Sequence, residues 1–434
     1  MDTKIKYERV HFFSPSINIC MVATIGGSPS EKAMNEAIGK AFARHEILGC
    51  RIIQSNDGTA YYSPLPDAVP RIQIRKLDDI DTDWIKLIHE QERVPFDWEN
   101  GELIRFFVLQ GENVTQLVIV AHHLAGDGMS VLYLVKDIMT ALGNPGIGME
   151  KLQVRNLRDD DIPKKAGLNP LLKLMISMTN VRWRKIKRVF KYSNYRGMFT
   201  SFWDKKDTEI LKGCISGDEL NALIDKCKQN NVTVNSAITT AFIKASGERS
   251  DVGLAASIRP QGFEGMANFA TGISIQYTYD DSRSFWENVS SVHELIYRKL
   301  ENPSKKYFIL NFMASLDPTL VDAAYLSAEG CLDNNLARKA ADMFGYTGNP
   351  KSISITNLTR TDIPQSFGNY TLSDLFFVAP LVPNARRIIG ILTFGGKMTV
   401  TMQFDKSRGA DERVFFTEAL KILSDRQEAP VTAR

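Results

Sequence analysis

Apolar residues form two kinds of pattern along this chain, and the contrast between them divides it into elements. Gln116-Leu117-Val118-Ile119-Val120-Ala121 is nearly unbroken hydrocarbon, the pattern of a strand buried on both faces. Shortly after it, Val131, Leu132, Leu134, Val135, Ile138, Met139 and Leu142 recur at helical spacing, and Gly143 is expected to end that helix. Residues 17–25 read as another strand, and Ser28-Pro29-Ser30-Glu31 then opens a helix, with Ser28 as cap, Pro29 in the first turn and Glu31 closing a capping box. The same order returns at residues 209–215, a strand followed by Ser216-Gly217-Asp218-Glu219. A capped helix after a strand, twice, predicts two lobes built on one plan; capping boxes are common, so chance repetition is the alternative. Near the C-terminal end, residues 391–404 read as a strand pair turning at Gly395-Gly396-Lys397.

Between the halves the pattern changes. Residues 143–148 and 156–170 are rich in breakers and charges and read as connecting chain. From Lys164 to Arg196 there are ten basic residues and no acidic one, interleaved with Leu171, Leu172, Leu174, Met175, Ile176, Met178, Val181 and Trp183. Such a segment suits an anionic membrane surface or an acidic carrier protein, or is an ordinary helix with a solvated basic face. The expected division is residues 1–160 as a first lobe, 161–207 as a basic amphipathic connection and 208–434 as a second lobe.

Composition narrows the classes. The chain has 434 residues, 44% hydrophobic and 24% charged, enough for two cores of ordinary size in a soluble globular protein. A net charge of +3, without basic-aromatic alternation, gives no case for nucleic acid. Cys20, Cys50, Cys214, Cys227 and Cys331 are widely spaced and contain no CxxC pair, so neither a disulfide framework nor a zinc site is expected. No signal peptide or membrane-spanning run is read in the chain, and the expected location is cytoplasmic, with peripheral membrane contact through 164–196 as an option.

The candidate chemistry lies at His122-His123-Leu124-Ala125-Gly126-Asp127-Gly128, between the buried strand and the amphipathic helix. Imidazole titrates nearest neutrality, so it can take a proton from a nucleophile and return it. Gly126 and Gly128 bracket the loop where the chain turns tightly or must approach something closely. Two other readings stay open on these residues alone, a metal site and a structural turn with satisfied histidines. No serine or cysteine within the heptapeptide offers a nucleophile. No Gly-rich phosphate loop is present elsewhere.

His122-His123-x-x-x-Asp127-Gly128 resembles the HHxxxDG signature of the chloramphenicol-acetyltransferase-like superfamily, which includes peptide synthetase condensation domains, polyketide-associated acyltransferases and wax ester synthases. Supporting segments resemble that superfamily in its order: residues 41–48 around Arg44-His45; Val94-Pro95-Phe96-Asp97 with Gly101 to Arg105; Asn231 to Ala237; Ile258-Arg259-Pro260; Phe263 to Phe269; and Ile355-Thr356-Asn357-Leu358. The resemblance spans nearly the whole chain. The plant-type members end in a DFGWG motif, and Leu392-Thr393-Phe394-Gly395-Gly396 lacks its aspartate and tryptophan.

The resemblance implies an α/β protein of two similar α+β sandwich lobes, arranged as a V-shaped pseudo-dimer with a channel between them. It implies a free-standing condensation-type acyltransferase that moves an acyl group from acyl-CoA or a phosphopantetheinyl carrier protein to a hydroxyl or amine, including a lipid alcohol. His123 is then the general base, with no covalent acyl-enzyme, no resident cofactor and no metal. His122 is a positioning residue, Asp127 pairs with Arg259 in a bidentate ion pair, Gly128 belongs to the catalytic loop, and Asn268 and Asn357 line the channel. The alternative is an inactive condensation-like protein that binds an acyl carrier or a lipid. With a reference pKa near 3.9, Asp127 is a weak base at neutral pH, so its role is read as structural. Asp127→Asn is expected to lower stability or solubility more than it shifts the pH profile; retained folding with only a shifted profile contradicts this.

Overall fold

The central strands of the first sheet alternate between two buried faces, which is why their sequences are almost continuously apolar. In the computed structural model, which describes residues 2–347 and 350–424, Val114–His122 is the strand behind the histidines. Leu117, Ile119 and Ala121 point into the largest core, and Val118 and Val120 point into a smaller one on the other side. The neighbouring strand Asn18–Gly26 does the same, with Met21, Ala23 and Ile25 on one face and Cys20 and Val22 on the other. Helices Glu31–Arg44 and Gly128–Gly143 fill the first face, and Asp83–Glu92 covers the second with Trp84, Leu87 and Ile88.

Two six-stranded sheets organise the chain. The first runs Ser366–Phe367, Tyr370–Val378, Asn18–Gly26, Val114–His122, Ile104–Gln110, Arg71–Lys76. The second runs Ala270–Tyr277, Ser250–Ser257, Ile353–Arg360, Arg387–Phe394, Lys397–Asp405, Thr208–Ser216. Each carries its own apolar core and helices, so the α/β reading with two comparable lobes describes the molecule. The turn expected at residues 395–397 joins Arg387–Phe394 to Lys397–Asp405, with φ of 55° at Gly395 and 75° at Gly396. Positive φ at both central positions is what a tight hairpin matching the strand twist requires.

Two expectations about helix capping shift. The helix after the first strand is capped by Ser30, whose side chain accepts from Ala33 N. Ser28, with φ of 41°, bonds instead to the carbonyl of Glu112, so the helix begins two residues later than its first serine suggests. At the second site Ser216 stands at the N-cap position without a side-chain capping bond.

The lobes also do not divide at residue 208. Strands Ser366–Phe367 and Tyr370–Val378 leave the second half and pair with Asn18–Gly26 in the first sheet. Helices Pro318–Ala328 and Asn335–Phe344 join the first core as well. Residues 348–349 and 425–434 of the expected second lobe lie outside the described residues. The expected connection, 161–207, is itself split. Helix Tyr192–Trp203 buries Tyr195, Met198, Phe199, Phe202 and Trp203 in the first core, whereas helix Pro170–Arg184 buries only Ile176 and Trp183.

One buried ion pair fixes the N-terminal end relative to this returning chain. Arg9 Nε donates to Asp322 Oδ1 at 3.0 Å, Nη2 meets the other carboxylate oxygen, and neither residue reaches solvent appreciably. Tyr325 Oη donates to Val10 O at 2.8 Å beside it. We expect Asp322→Ala to cost about 3–5 kcal/mol, because the Arg9 guanidinium would remain buried without a counter-charge. Urea unfolding measures this, and replacing both partners by apolar residues should recover most of the loss.

Candidate functional site

Two consecutive residues of one strand end face opposite ways, so the two histidines meet different surroundings. His122 points into the protein and is fully buried. Its Nδ1 accepts from Leu124 N at 3.1 Å, and its ring stands edge-on to Phe96 at 5.5 Å between centroids. Burial holds its pKa down at about 3, with the charges of His123 and Arg105 pushing the same way. Such a ring is neutral at every physiological pH and shapes the loop.

The family-like segment before the strand props up this ring. Arg105 binds Glu102 through Nε at 2.9 Å and donates to the carbonyls of Val94 and Pro95. Its guanidinium also lies 4.1 Å from the centre of the Phe96 ring. The Arg44-His45 segment gives comparable support from a neighbouring helix. His45 Nε2 lies 2.8 Å from Asp137 Oδ2, and Arg44 Nε lies 3.2 Å from the same oxygen. Asp137 belongs to helix Gly128–Gly143, so this cluster ties down the element that carries the loop.

His123 points the other way and is half-buried. Its Nδ1 lies 2.6 Å from Asn268 Oδ1, and Asn268 Nδ2 donates to the His123 carbonyl at 2.5 Å. The second bond orients the amide, because a carbonyl accepts only from the NH2 end. Asn268 Oδ1 therefore faces the ring and accepts, which places the imidazole proton on Nδ1 and leaves the lone pair on Nε2. Burial lowers the pKa of His123 below its ordinary value, while the charge of Asp127 and the Asn268 bond oppose that shift. The ring is thus a neutral base near pH 7.

The ring of His11 stacks on His123, with centroids 4.0 Å apart and planes inclined by 12°. Burial pushes the His11 pKa well down, and the neighbouring imidazoles lower it further. Residues 10–13 carry no motif and no periodicity that singles this histidine out; a fold bringing residue 11 to residue 123 reveals it.

Asp127 does three jobs. Oδ1 caps helix Gly128–Gly143 by accepting from Ser130 N at 2.9 Å and from Ser130 Oγ at 3.0 Å. It also receives Arg259 Nη2 at 2.7 Å, while Oδ2 accepts from Phe269 N at 2.9 Å. The expected bidentate pairing is therefore replaced by a single contact, because the second oxygen is committed to backbone of the other half. The same Nη2 also lies within hydrogen-bonding distance of Ser130 Oγ and Ala267 O, Nη1 donates to Gly265 O, and Nε has no partner among the described residues. Ser130, which the sequence did not mark, is the hub of this knot. Gly126 has to be glycine for the same reason, since a Cβ there would lie 2.6 Å from the Cβ of Ser130.

Two cavities meet at His123. One, of about 390 Å³, is bounded by Gly128, Met129, Tyr133, Arg259, Asn357 and Phe377. The other, of about 560 Å³, is bounded by His11, Leu254, Ile273, Phe308, Met313 and Lys305. His123, Ala255, Ala270, Thr356 and Pro380 belong to both walls, so the first sheet supplies the imidazole and the second supplies the opposite side. Asn357 lies on the first wall, but its Oδ1 accepts from Thr359 N at 2.7 Å, which commits it to the strand end. Asn268, expected as channel lining, instead holds His123. Among the described residues no group of three or more His, Cys, Asp or Glu side chains is arranged to hold a metal ion.

Residues 7–154 match the Condensation domain family. The chain is 27% identical over 135 residues to chondramide synthase of Chondromyces crocatus and 26% identical over 144 residues to a linear gramicidin synthase of Brevibacillus parabrevis. Those matches cover 30% and 32% of this chain but only 4% and 3% of the relatives' own lengths. The fold is shared across almost everything. The condensation domain of the monacolin K polyketide synthase MokA superposes with a TM-score of 0.65 at 12% identity, covering 98% of this chain and 97% of its own. A trichothecene 15-O-acetyltransferase of Fusarium sporotrichioides gives 0.63 at 11% identity, covering 97% and 94%. The chain shares the fold of these two proteins over nearly its whole length, the outcome that the HHxxxDG resemblance implied.

Nitrogen-15 chemical shifts of His123 should report the Nδ1–H tautomer and a titration midpoint below the ordinary histidine pKa of about 6.5. Asn268→Ala should give a mixture of tautomers, because nothing then distinguishes the two nitrogens.

Proposed function

We propose that the protein is a condensation-type acyltransferase that joins an acyl thioester to a hydroxyl or amine acceptor. The observation that carries this reading is one neutral imidazole, with its tautomer set by Asn268, standing where two cavities meet. Two substrates entering from different sides would find the same base between them. The donor is an acyl group on a phosphopantetheine arm, of acyl-CoA or of a carrier protein, and it serves as co-substrate. The condensation-type match over residues 7–154 supports a thioester of this kind.

In the proposed step His123 Nε2 removes the proton of the acceptor as its oxygen or nitrogen attacks the thioester carbonyl. The tetrahedral intermediate collapses with cleavage of the carbon–sulfur bond, and the imidazolium returns the proton to the departing thiolate. Product and free thiol leave a neutral imidazole for the next turnover. The developing oxyanion needs a donor close to the base. The amides of Leu124, Ala125 and Asp127 are engaged with His122 Nδ1, His122 O and Ala267 O. Gly128, on the cavity wall at the first position of its helix, is the donor best placed to serve. The ring of His11 leaves His123 little freedom to turn and adds a second imidazole that resists protonation beside the first.

Release of free thiol from a panel of acyl-CoAs, with alcohols and amines as acceptors, tests the reading. His123→Ala should lose roughly 10² to 10⁴ in kcat/KM. A variant as fast as wild type overturns the mechanism. The acid limb of kcat/KM should lie below the ordinary histidine pKa of about 6.5, since activity falls as pH drops through the pKa of the base. Asn268→Asp places a carboxylate against the ring and stabilises its cation, so this limb should move up by about one unit or more.

A further inference from the structure

Helix Pro170–Arg184 turns its apolar stripe away from the protein. Of thirteen large apolar side chains left exposed among the described residues, six fall between 171 and 186. Leu171, Leu174, Met175 and Met178 share one helical face, at 49 to 69% exposure. The residues that anchor the helix, Ile176 and Trp183, stand five positions beyond Leu171 and Met178, and hence nearly opposite them. Trp183 Nε1 donates to Thr319 Oγ1 at 2.8 Å, and Asn180 Nδ2 donates to Ser315 O at 2.9 Å. The rotation of the helix is therefore fixed by bonds on its inner face, and the stripe points outward because of them.

Charge surrounds the stripe. Of the ten basic residues between 164 and 196, Lys187 alone forms an ion pair among the described residues, with Asp317. Lys173, Arg182, Arg184, Lys185 and Arg188 are all exposed. A second copy of this chain would bring the same cations against each other, and an acidic protein has no need of leucine and methionine standing in water. Hydrocarbon beneath a layer of anionic groups satisfies both features at once. The same neighbourhood includes Phe308 and Ile309, exposed at the start of helix Phe308–Ser315 and also on the wall of the larger cavity at His123.

We propose that this face adsorbs the protein to an anionic bilayer, with Leu171, Leu174, Met175 and Met178 in the acyl boundary and the surrounding lysines and arginines at the lipid headgroups. No helix among the described residues is long and apolar enough to cross a membrane, so the contact is peripheral.

Co-sedimentation with sucrose-loaded vesicles tests the proposal. The protein should partition at least tenfold more strongly onto phosphatidylcholine vesicles containing 30% phosphatidylserine than onto pure phosphatidylcholine. Binding should weaken as salt is raised. The triple variant Leu171→Ser, Leu174→Ser, Met178→Ser should lose at least tenfold of the binding while melting like wild type, because all three side chains are already exposed. Its thiol release from soluble acyl-CoA should be unchanged, so loss of vesicle binding and failure of the acyl-transfer reading are separable. Wild type that ignores anionic vesicles, or a triple variant that binds them as well as wild type, overturns the proposal. So does a stripe whose mutation abolishes self-association or the binding of an acidic acyl carrier protein and leaves vesicle binding intact.

Discussion

The contact between Asp127 and Arg259 is the constraint on which the site depends. It joins the loop after the histidine strand to the chain that enters the second sheet, across 132 residues. Its carboxylate also caps the helix that follows the loop and accepts from Phe269 N. A carboxylate with both oxygens in use cannot serve as a proton carrier without releasing the structure around it. The same knot places Asn268 beside His123, because Asn268 lies between Ala267 and Phe269, both of which are bonded to it. Chemistry at the imidazole is thus coupled to the closure between the two halves.

Burial gives the two histidines opposite uses. His122 is neutral because it is enclosed, with Nε2 left without a partner. His123 is neutral although it borders two cavities, since burial outweighs the nearby carboxylate. A base that stays deprotonated, has a defined tautomer and opens onto two spaces has what general-base chemistry requires. The buried pair Arg9–Asp322 sits two residues from His11 and holds the N-terminal turn at this depth, so the stack on His123 is secured from outside the site.

Much of the local structure was legible because it rests on short-range patterns. The continuous run from Leu117 to Ala121 marked a strand covered on both sides, and the spacing from Val131 to Leu142 marked its helix; both lie where those patterns put them. The paired glycines at 395 and 396 located a turn for the same reason. The cap at Ser30 was displaced from Ser28 by backbone geometry at the start of the helix, which a serine count does not register. The basic segment from 164 to 196 looked uniform in sequence, yet its second helix is packed and its first is half bare, because only packing decides which face meets a core.

Sequence alone determined the kind of chemistry on offer: an imidazole at a strand end, a carboxylate four residues on and an arginine in a matching segment. The first two follow from residue type and spacing, and the arginine from the resemblance carried by Ile258-Arg259-Pro260. Tertiary structure alone decided which partners close the site, namely His11 on the ring, Asn268 on its nitrogen and Ser130 within the ion pair. It also decided that strands beginning at Ser366 complete the first sheet. Each of these joins positions far apart in the chain, and no local preference records a contact made only when distant segments are packed together.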